Sequence, residues 1–357
     1  MLNNKITELL NIDYPIIQAP MAGGISTTAL VSSVSNYGGL GMIGAGYMNA
    51  IQTRDQIREV RQTTSNNFGV NLFVPTEFQR SDEKIRLADD LLSPIREQLE
   101  IENSKISTPT YESLLESFNA QVDVVIEEKV PICSFTFGIP NLEIINRLKQ
   151  HNIIVIGTAT TVSEAIEIER TGMDLIVVQG SEAGGHRGTF INDGQESLVG
   201  LMSLIPQVVD NVMIPVIAAG GIMDGRGLIA SLCLGAKGVQ MGTAFLTCME
   251  SGAHELHKEA ILHSSEDQTV LTRAFSGKWA RGVKNKFIKD LHEDERALPD
   301  FPIQNSLTQD IRKAASLQNN RDFMSLWSGQ SPRLAKNQSV EMLMKKIVDE
   351  AIKIKNS

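Results

Sequence analysis

Short apolar runs recur along the chain, and between them the apolar positions switch to a helical spacing. That alternation is the signature of βα units feeding a parallel sheet. The runs predict strands at Pro15–Gln18, Leu40–Gly44, Phe68–Phe73, Val130–Phe135, Ile153–Thr158, Leu175–Gln179, Pro215–Ala218 and Gly238–Met241. The segments between predict helices at Thr27–Tyr37, Thr53–Gln62, Leu142–Gln150, Ser163–Arg170, Gly200–Val209 and Gly225–Leu234. Eight such units favour a closed α/β (β/α)8 barrel, a TIM barrel, over a doubly wound open sheet, although either gives this alternation.

Two excursions break the rhythm. After the third strand, Val74 to Asn119 is charged and helix-periodic, as in Ser81-Asp82-Glu83-Lys84-Ile85-Arg86-Leu87-Ala88, and reads as inserted helices above the barrel mouth. After the eighth, Thr247 to Lys336 intervenes before an amphipathic stretch, Val340–Val348, suited to be the last barrel helix. Insertions that follow strands emerge on the catalytic face of such a barrel. The expected organisation is a barrel from 1–246 and 337–357, carrying a helical insertion at about 75–119, with 247–336 as a lid or cap subdomain.

Of 357 residues, 42% are apolar and 21% charged, enough to bury a sizeable core. A net charge of -9 without a large basic cluster argues against a nucleic-acid partner. Cys133, Cys233 and Cys248 lie far apart with no metal-ligand spacing, so no disulfide framework or metal site is expected. No apolar run reaches the length of a signal core or membrane span, which leaves a cytoplasmic protein as the expectation.

The candidate chemistry lies at the predicted strand ends. The sixth strand runs into Gly180-Ser181-Glu182-Ala183-Gly184-Gly185-His186-Arg187-Gly188. Glycines there let backbone approach a ligand, and His186 is the side chain that titrates nearest neutrality. The first strand leads into Gln18-Ala19-Pro20-Met21-Ala22-Gly23-Gly24, small residues against which a flat ligand can lie, and the third carries Asn71, able to bond a heterocycle edge. The seventh ends at Ala219-Gly220-Gly221 and the eighth at Gln240-Met241-Gly242-Thr243. Loops after strands seven and eight of such barrels commonly bind phosphate through backbone N–H groups. A phosphate cradle beside small residues, with a histidine opposite, suits a phosphorylated flat cofactor such as FMN. Neither a GxGxxG fingerprint in register nor a GxxxxGK[ST] loop is present.

With these segments in this order, the chain resembles the nitronate monooxygenase family, formerly 2-nitropropane dioxygenases. Ala274-Phe275-Ser276-Gly277-Lys278-Trp279-Ala280-Arg281-Gly282, Gln304-Asn305 and Leu326-Trp327-Ser328-Gly329-Gln330 resemble its bacterial branch. The resemblance implies non-covalent FMN and oxidation of alkyl nitronates by O2, with no metal. By position it implies His186 as the catalytic residue. Met21, Ala22, Asn71, Gln179, Gly184, Gly220, Gly221, Gln240, Met241, Gly242 and Thr243 would be the cofactor-binding residues. Arg187 and Lys278 are candidates to meet the substrate anion, while Arg281, Lys284, Lys286 and Lys289 read as a solvated basic face. The same glycine-histidine loop is similar to that of NAD(P)H-dependent flavin reductases of the enoyl-ACP or quinone reductase type, which is the alternative. A flavin-free phosphate-binding barrel lyase or isomerase would have a comparable phosphate loop.

Overall fold

The computed structural model describes residues 2–102, 107–191 and 197–357. Eight parallel strands form one sheet: β1 (Ile16–Gln18), β2 (Gly41–Gly44), β3 (Phe68–Phe73), β4 (Ile132–Thr136), β5 (Ile154–Ala159), β6 (Leu175–Gln179), β8 (Val216–Ala219) and β9 (Gly238–Met241). A two-residue strand, β7 (Gly185–His186), lies between β6 and β8 in sequence and belongs to a different sheet. The barrel closes where Gln18 N–H donates to the Leu40 carbonyl and Leu40 N–H to that of Ile16, each at 2.9 Å. Buried Gln18 adds a side-chain tie, its Oε1 accepting from Met42 N–H at 3.0 Å. The fold is the expected TIM barrel.

The alternating side-chain directions of each strand explain how one barrel has a dry floor and a polar mouth. Ile17, Met42, Ile132, Ile156, Leu175, Val177 and Ile217 form an apolar cluster inside the lower barrel. Ile6 and Leu10 close it from below. They belong to the short helix Lys5–Leu10, which starts at a capping box on Asn4. One step of two or more residues further along the same faces come Ser134, Thr136, Thr158 and Gln179, all bordering the cavity at the mouth. The opposite faces, including Val70, Cys133, Val155, Ile176, Val178 and Val239, pack beneath the outer helices.

Predicted helix boundaries shift where a cap decides them. Asn49 and Gln52 form a capping box, so the helix begins at Ala50 rather than Thr53. The last helix runs Val340–Lys355, beyond Val348, because Ile347 and Ala351 continue its buried stripe onto the Gly225–Cys233 helix. There, a Cβ on Gly225 would meet the Ala351 nitrogen at 2.6 Å, so only glycine allows so close an approach.

The two excursions share a core. Ala88, Leu92 and Ile95 of the helix Asp82–Gln98 pack with Phe275, Phe287, Leu298, Ile311, Phe323 and Leu326. Buried Arg96 fixes the junction by donating to Asp310 at 3.0 Å and to the Leu307 carbonyl at 2.8 Å. The second helix of the first excursion, Tyr111–Glu127, instead packs Phe118, Val122 and Val125 onto the barrel as an outer helix. Residues 103–106 of that predicted insertion lie outside the described residues. Beyond β9, β10 (Thr269–Thr272) and β11 (Ala280–Val283) form an antiparallel pair, and β11 also pairs with β7. No helix among the described residues is long and apolar enough to cross a membrane.

Candidate functional site

A cavity opens at the C-terminal ends of the barrel strands, where this fold carries its chemistry. Its lining includes His186, Met21, Ala22, Asn71, Gln179, Gly184, Gly220, Gly221, Gln240, Gly242 and Thr243. Met241 is not brought there. Gln240 faces inward, so its neighbour faces outward, and Met241 is buried in the core between barrel and helices.

At one end the backbone is shaped for a ligand. Gly220 and Gly221 adopt φ of 122° and 67°, conformations that L side chains rarely take. Among the described residues, no backbone carbonyl takes the N–H of Gly221, Gly242 or Thr243. Residues 329–331 bond to this end: Ser331 Oγ donates to the Gly221 carbonyl at 3.0 Å, and Gly329 N–H to Thr243 Oγ1 at 3.0 Å. Donors gathered at glycine backbone fit the phosphate of a cofactor such as FMN.

The floor is polar and ordered. Asn71 Nδ2 donates to Ser134 Oγ at 2.9 Å and Thr136 Oγ1 at 3.1 Å, so its Oδ1 is left as the acceptor toward a ligand. Gln179 Nε2 donates to the His186 carbonyl at 3.0 Å, and its Oε1 accepts from Gly188 N–H at 2.9 Å. Through these bonds β6 fixes the loop that carries the histidine.

His186 sits at the other end, ringed by Phe137, Phe301 and Trp327 at centroid distances of 5.8, 6.3 and 5.4 Å. Its Nε2 lies 2.8 Å from Ser276 Oγ. Burial lowers its pKa to about 3, and the positive charges of Lys278 and Arg312 push the same way. His186 is therefore neutral at physiological pH and faces two fixed cations. Lys278 lies with Nζ 4.9 Å from the Phe137 ring centre and donates to the Thr189 carbonyl at 3.1 Å. A second cavity, which Lys278 borders, meets the first at Tyr47, Phe73 and Phe137.

Arg187 does not reach the cavity. It is 1% exposed and donates to the carbonyls of Gly180, Gln179 and Ser197, which makes it a clamp under the loop. Arg281 departs from the expected solvated face: it is buried, and its Nε donates to the Ser181 carbonyl at 3.1 Å. The β11 register turns it toward the loop, whereas Lys284, Lys286 and Lys289 are exposed. Reading the sequence for strand-end motifs missed Tyr47, Phe137, Phe301 and Arg312, which lie in connecting segments or beyond β9. Ser276 and Trp327 were visible only within their C-terminal motifs. Among the described residues no cluster of His, Cys, Asp or Glu could hold a metal ion.

The nitronate monooxygenase family model matches residues 3–350. A protein from Staphylococcus aureus (strain MRSA252) named "Probable nitronate monooxygenase" is 53% identical over 348 residues, covering 97% of each chain. Among solved structures, nitroalkane oxidase from Streptomyces ansochromogenes superposes with a TM-score of 0.89 at 35% identity, covering 98% of this chain and 99% of that one. FabK from Thermotoga maritima aligns with a TM-score of 0.78 at 32% identity, covering 100% and 98%. A match of this extent, on a barrel whose mouth gathers a glycine cradle and a half-buried histidine, shows that this chain belongs to the nitronate monooxygenase family.

Proposed function

We propose that the protein is an FMN-dependent nitronate monooxygenase that oxidises alkyl nitronates with O2 to a carbonyl compound and nitrite. The observation that carries this reading is that one cavity at the barrel mouth is lined by both the Gly220–Gly221 and Gly242–Thr243 backbone and the His186 side chain, near enough to Lys278 and Arg312 for their charges to oppose its protonation. A nitronate is already a carbon acid without its proton, so it needs a site that favours an anion and no strong base. Lys278 and Arg312 supply the charge, worth more in this buried setting than in water.

Gly220, Gly221, Gly242 and Thr243 would hold the FMN phosphate. Asn71, Gln179, Gly184 and Gln240 would meet the ring system, which Met21 and Ala22 would flank. When bound, FMN supplies electron transfer between nitronate and O2. The chain's own residues position the anion and exclude water, while His186 takes the α-proton when a neutral nitroalkane enters. The expected range is short alkyl nitronates, with nitroalkanes turned over more slowly.

The test is to mix the purified protein anaerobically with an alkyl nitronate, and separately with NADH or NADPH, while recording the visible flavin spectrum. Loss of oxidised-flavin absorbance with nitronate alone supports the proposal. Rapid bleaching by nicotinamide alone assigns the protein to the flavin reductases, and a colourless protein that binds no FMN rejects both.

A further inference from the structure

Ser276 Oγ has three polar neighbours: His186 Nε2 at 2.8 Å, the Lys278 carbonyl at 3.1 Å and the Lys278 N–H at 3.3 Å. A hydroxyl has one proton to give and two lone pairs to offer. The Lys278 carbonyl can only accept and the Lys278 N–H can only donate. One arrangement satisfies all three contacts: the hydroxyl donates to the Lys278 carbonyl, and its lone pairs receive Lys278 N–H and His186 Nε2–H. The reverse arrangement, with the hydroxyl proton on Nε2, places two oxygens 3.1 Å apart with no proton between them. Ser276 is 2% exposed, so water does not compete for these bonds.

We infer that Ser276 is a positioning residue that holds His186 as the Nε2–H tautomer and leaves Nδ1 as a bare proton acceptor. A histidine's tautomer is set by the bond that its other nitrogen makes. Among the described residues Nδ1 has no hydrogen-bond partner, nor is it sealed from open space, and the side chain borders the cavity. The charged groups that face the ring are Lys278, from the segment between β10 and β11, and Arg312, from the helix Gln309–Leu317. The remaining neighbours are Phe137, Phe301 and Trp327, none of which titrates.

This tautomer separates two roles that a histidine could play. A bare Nδ1 cannot donate to the oxygens of a nitronate, so their negative charge is offset by the field of Lys278 and Arg312. It can accept a proton: the α-C–H bond of a nitroalkane breaks, the proton goes to Nδ1, and the electron pair moves into the nitro group to form the nitronate. The imidazolium keeps its Nε2–H on Ser276, whose own proton stays on the Lys278 carbonyl. This assignment of roles rests on the nitronate reading above, while the tautomer itself does not.

Nitrogen-15 NMR of the flavin-loaded protein, labelled at histidine and with His186 assigned by comparison with His186→Asn, reads the tautomer directly. The expected result is well-separated resonances, Nε2 in the protonated range and Nδ1 in the unprotonated range. In Ser276→Ala the two should converge as tautomers mix, and Ser276→Thr should restore the separation. Nitroalkane kcat should fall about tenfold in Ser276→Ala with KM little changed, and recover in Ser276→Thr. A wild-type spectrum with the proton on Nδ1 overturns the inference even if the alanine variant fails to fold. An unchanged spectrum in Ser276→Ala also overturns it. Absence of turnover with any nitronate by the wild-type protein overturns the functional reading, leaving the tautomer to be judged by the NMR alone.

Discussion

Ala280 stands opposite His186 in an antiparallel ladder, with Arg281 opposite Gly185. The histidine loop is thus an edge strand paired with β11. Arg187 N–H donates to the Trp279 carbonyl at 2.8 Å, and Ser276, just before this strand, holds the imidazole. The barrel supplies the loop, and a distant stretch of chain sets the orientation of its side chain.

This seam leaves no room at Gly184. A Cβ there would meet the Gly329 nitrogen and the Ser328 carbonyl carbon, both at 2.5 Å, and backbone cannot rotate aside as a flexible side chain can. Gly184→Ala is expected to destabilise the fold by about 1–3 kcal/mol through overpacking. By displacing the 328–331 segment from Thr243 and Gly221, it should also weaken FMN binding at least tenfold. Urea unfolding and flavin titration measure the two effects. Normal flavin affinity with lowered stability would disconnect the seam from the cradle.

The barrel and the glycine loops were legible in the sequence because both obey local rules. A buried parallel strand is a short apolar run, and backbone that must approach a ligand or adopt positive φ calls for glycine. Asn71 and Gln179 were legible because each sets a polar side chain in such a run, Asn71 within it and Gln179 at its end. The outward facing of Met241 was not legible, because adjacent strand residues face opposite ways and a motif match carries no information about facing. The approach of Ser276 and Arg312 to His186 was out of reach, since it depends on long-range pairing of β11 with β7 and on the packing of the Gln309–Leu317 helix. The buried state of Arg281 has the same origin: its charge suggests solvent, and the ladder register overrides it.

Glu164 is a buried anchor between the loop after β5 and the segment after His186. Its Oε2 accepts from Thr160 N–H and Oγ1, and its Oε1 from Thr189 Oγ1 and the N–H groups of Phe190 and Ile191, all within 2.6–3.0 Å. Glu164→Gln replaces an acceptor with a donor and leaves at least one of these groups unpaired. A loss of about 2–3 kcal/mol is expected from the unpaired buried donors. It should appear as a lower urea midpoint at unchanged slope. Because the Thr189 carbonyl takes the Lys278 ammonium, KM for nitronate should rise as well.

Asn71 spends both amide protons on Ser134 and Thr136. In Asn71→Ala the acceptor toward the flavin ring system is removed, and the two hydroxyls lose their partner. Loss of one such bond, about 1.4 kcal/mol, corresponds to tenfold weaker FMN binding. Fluorescence titration of apoprotein with FMN checks it. Affinity within twofold of wild type would remove Asn71 from the cofactor site.

Acid should weaken the fold through His257, a residue outside the cavity. His257 is 4% exposed, donates Nε2–H to the Trp327 carbonyl at 2.9 Å, and is held at a pKa of about 4 by burial. In the unfolded chain a histidine titrates near 6.5. Between these values the unfolded state binds the proton and the folded state does not, so stability is full above pH 6.5 and declines as pH falls toward 4. At pH 5 the cost is about 2 kcal/mol. His186, held lower still, acts in the same direction. His257→Gln retains a donor for the Trp327 carbonyl but cannot titrate. Its stability difference between pH 7 and pH 5, measured by urea unfolding, should be smaller than that of the wild type by about 2 kcal/mol. Equal differences in the two proteins would mean that His257 takes up its proton as readily in the folded state as in the unfolded one.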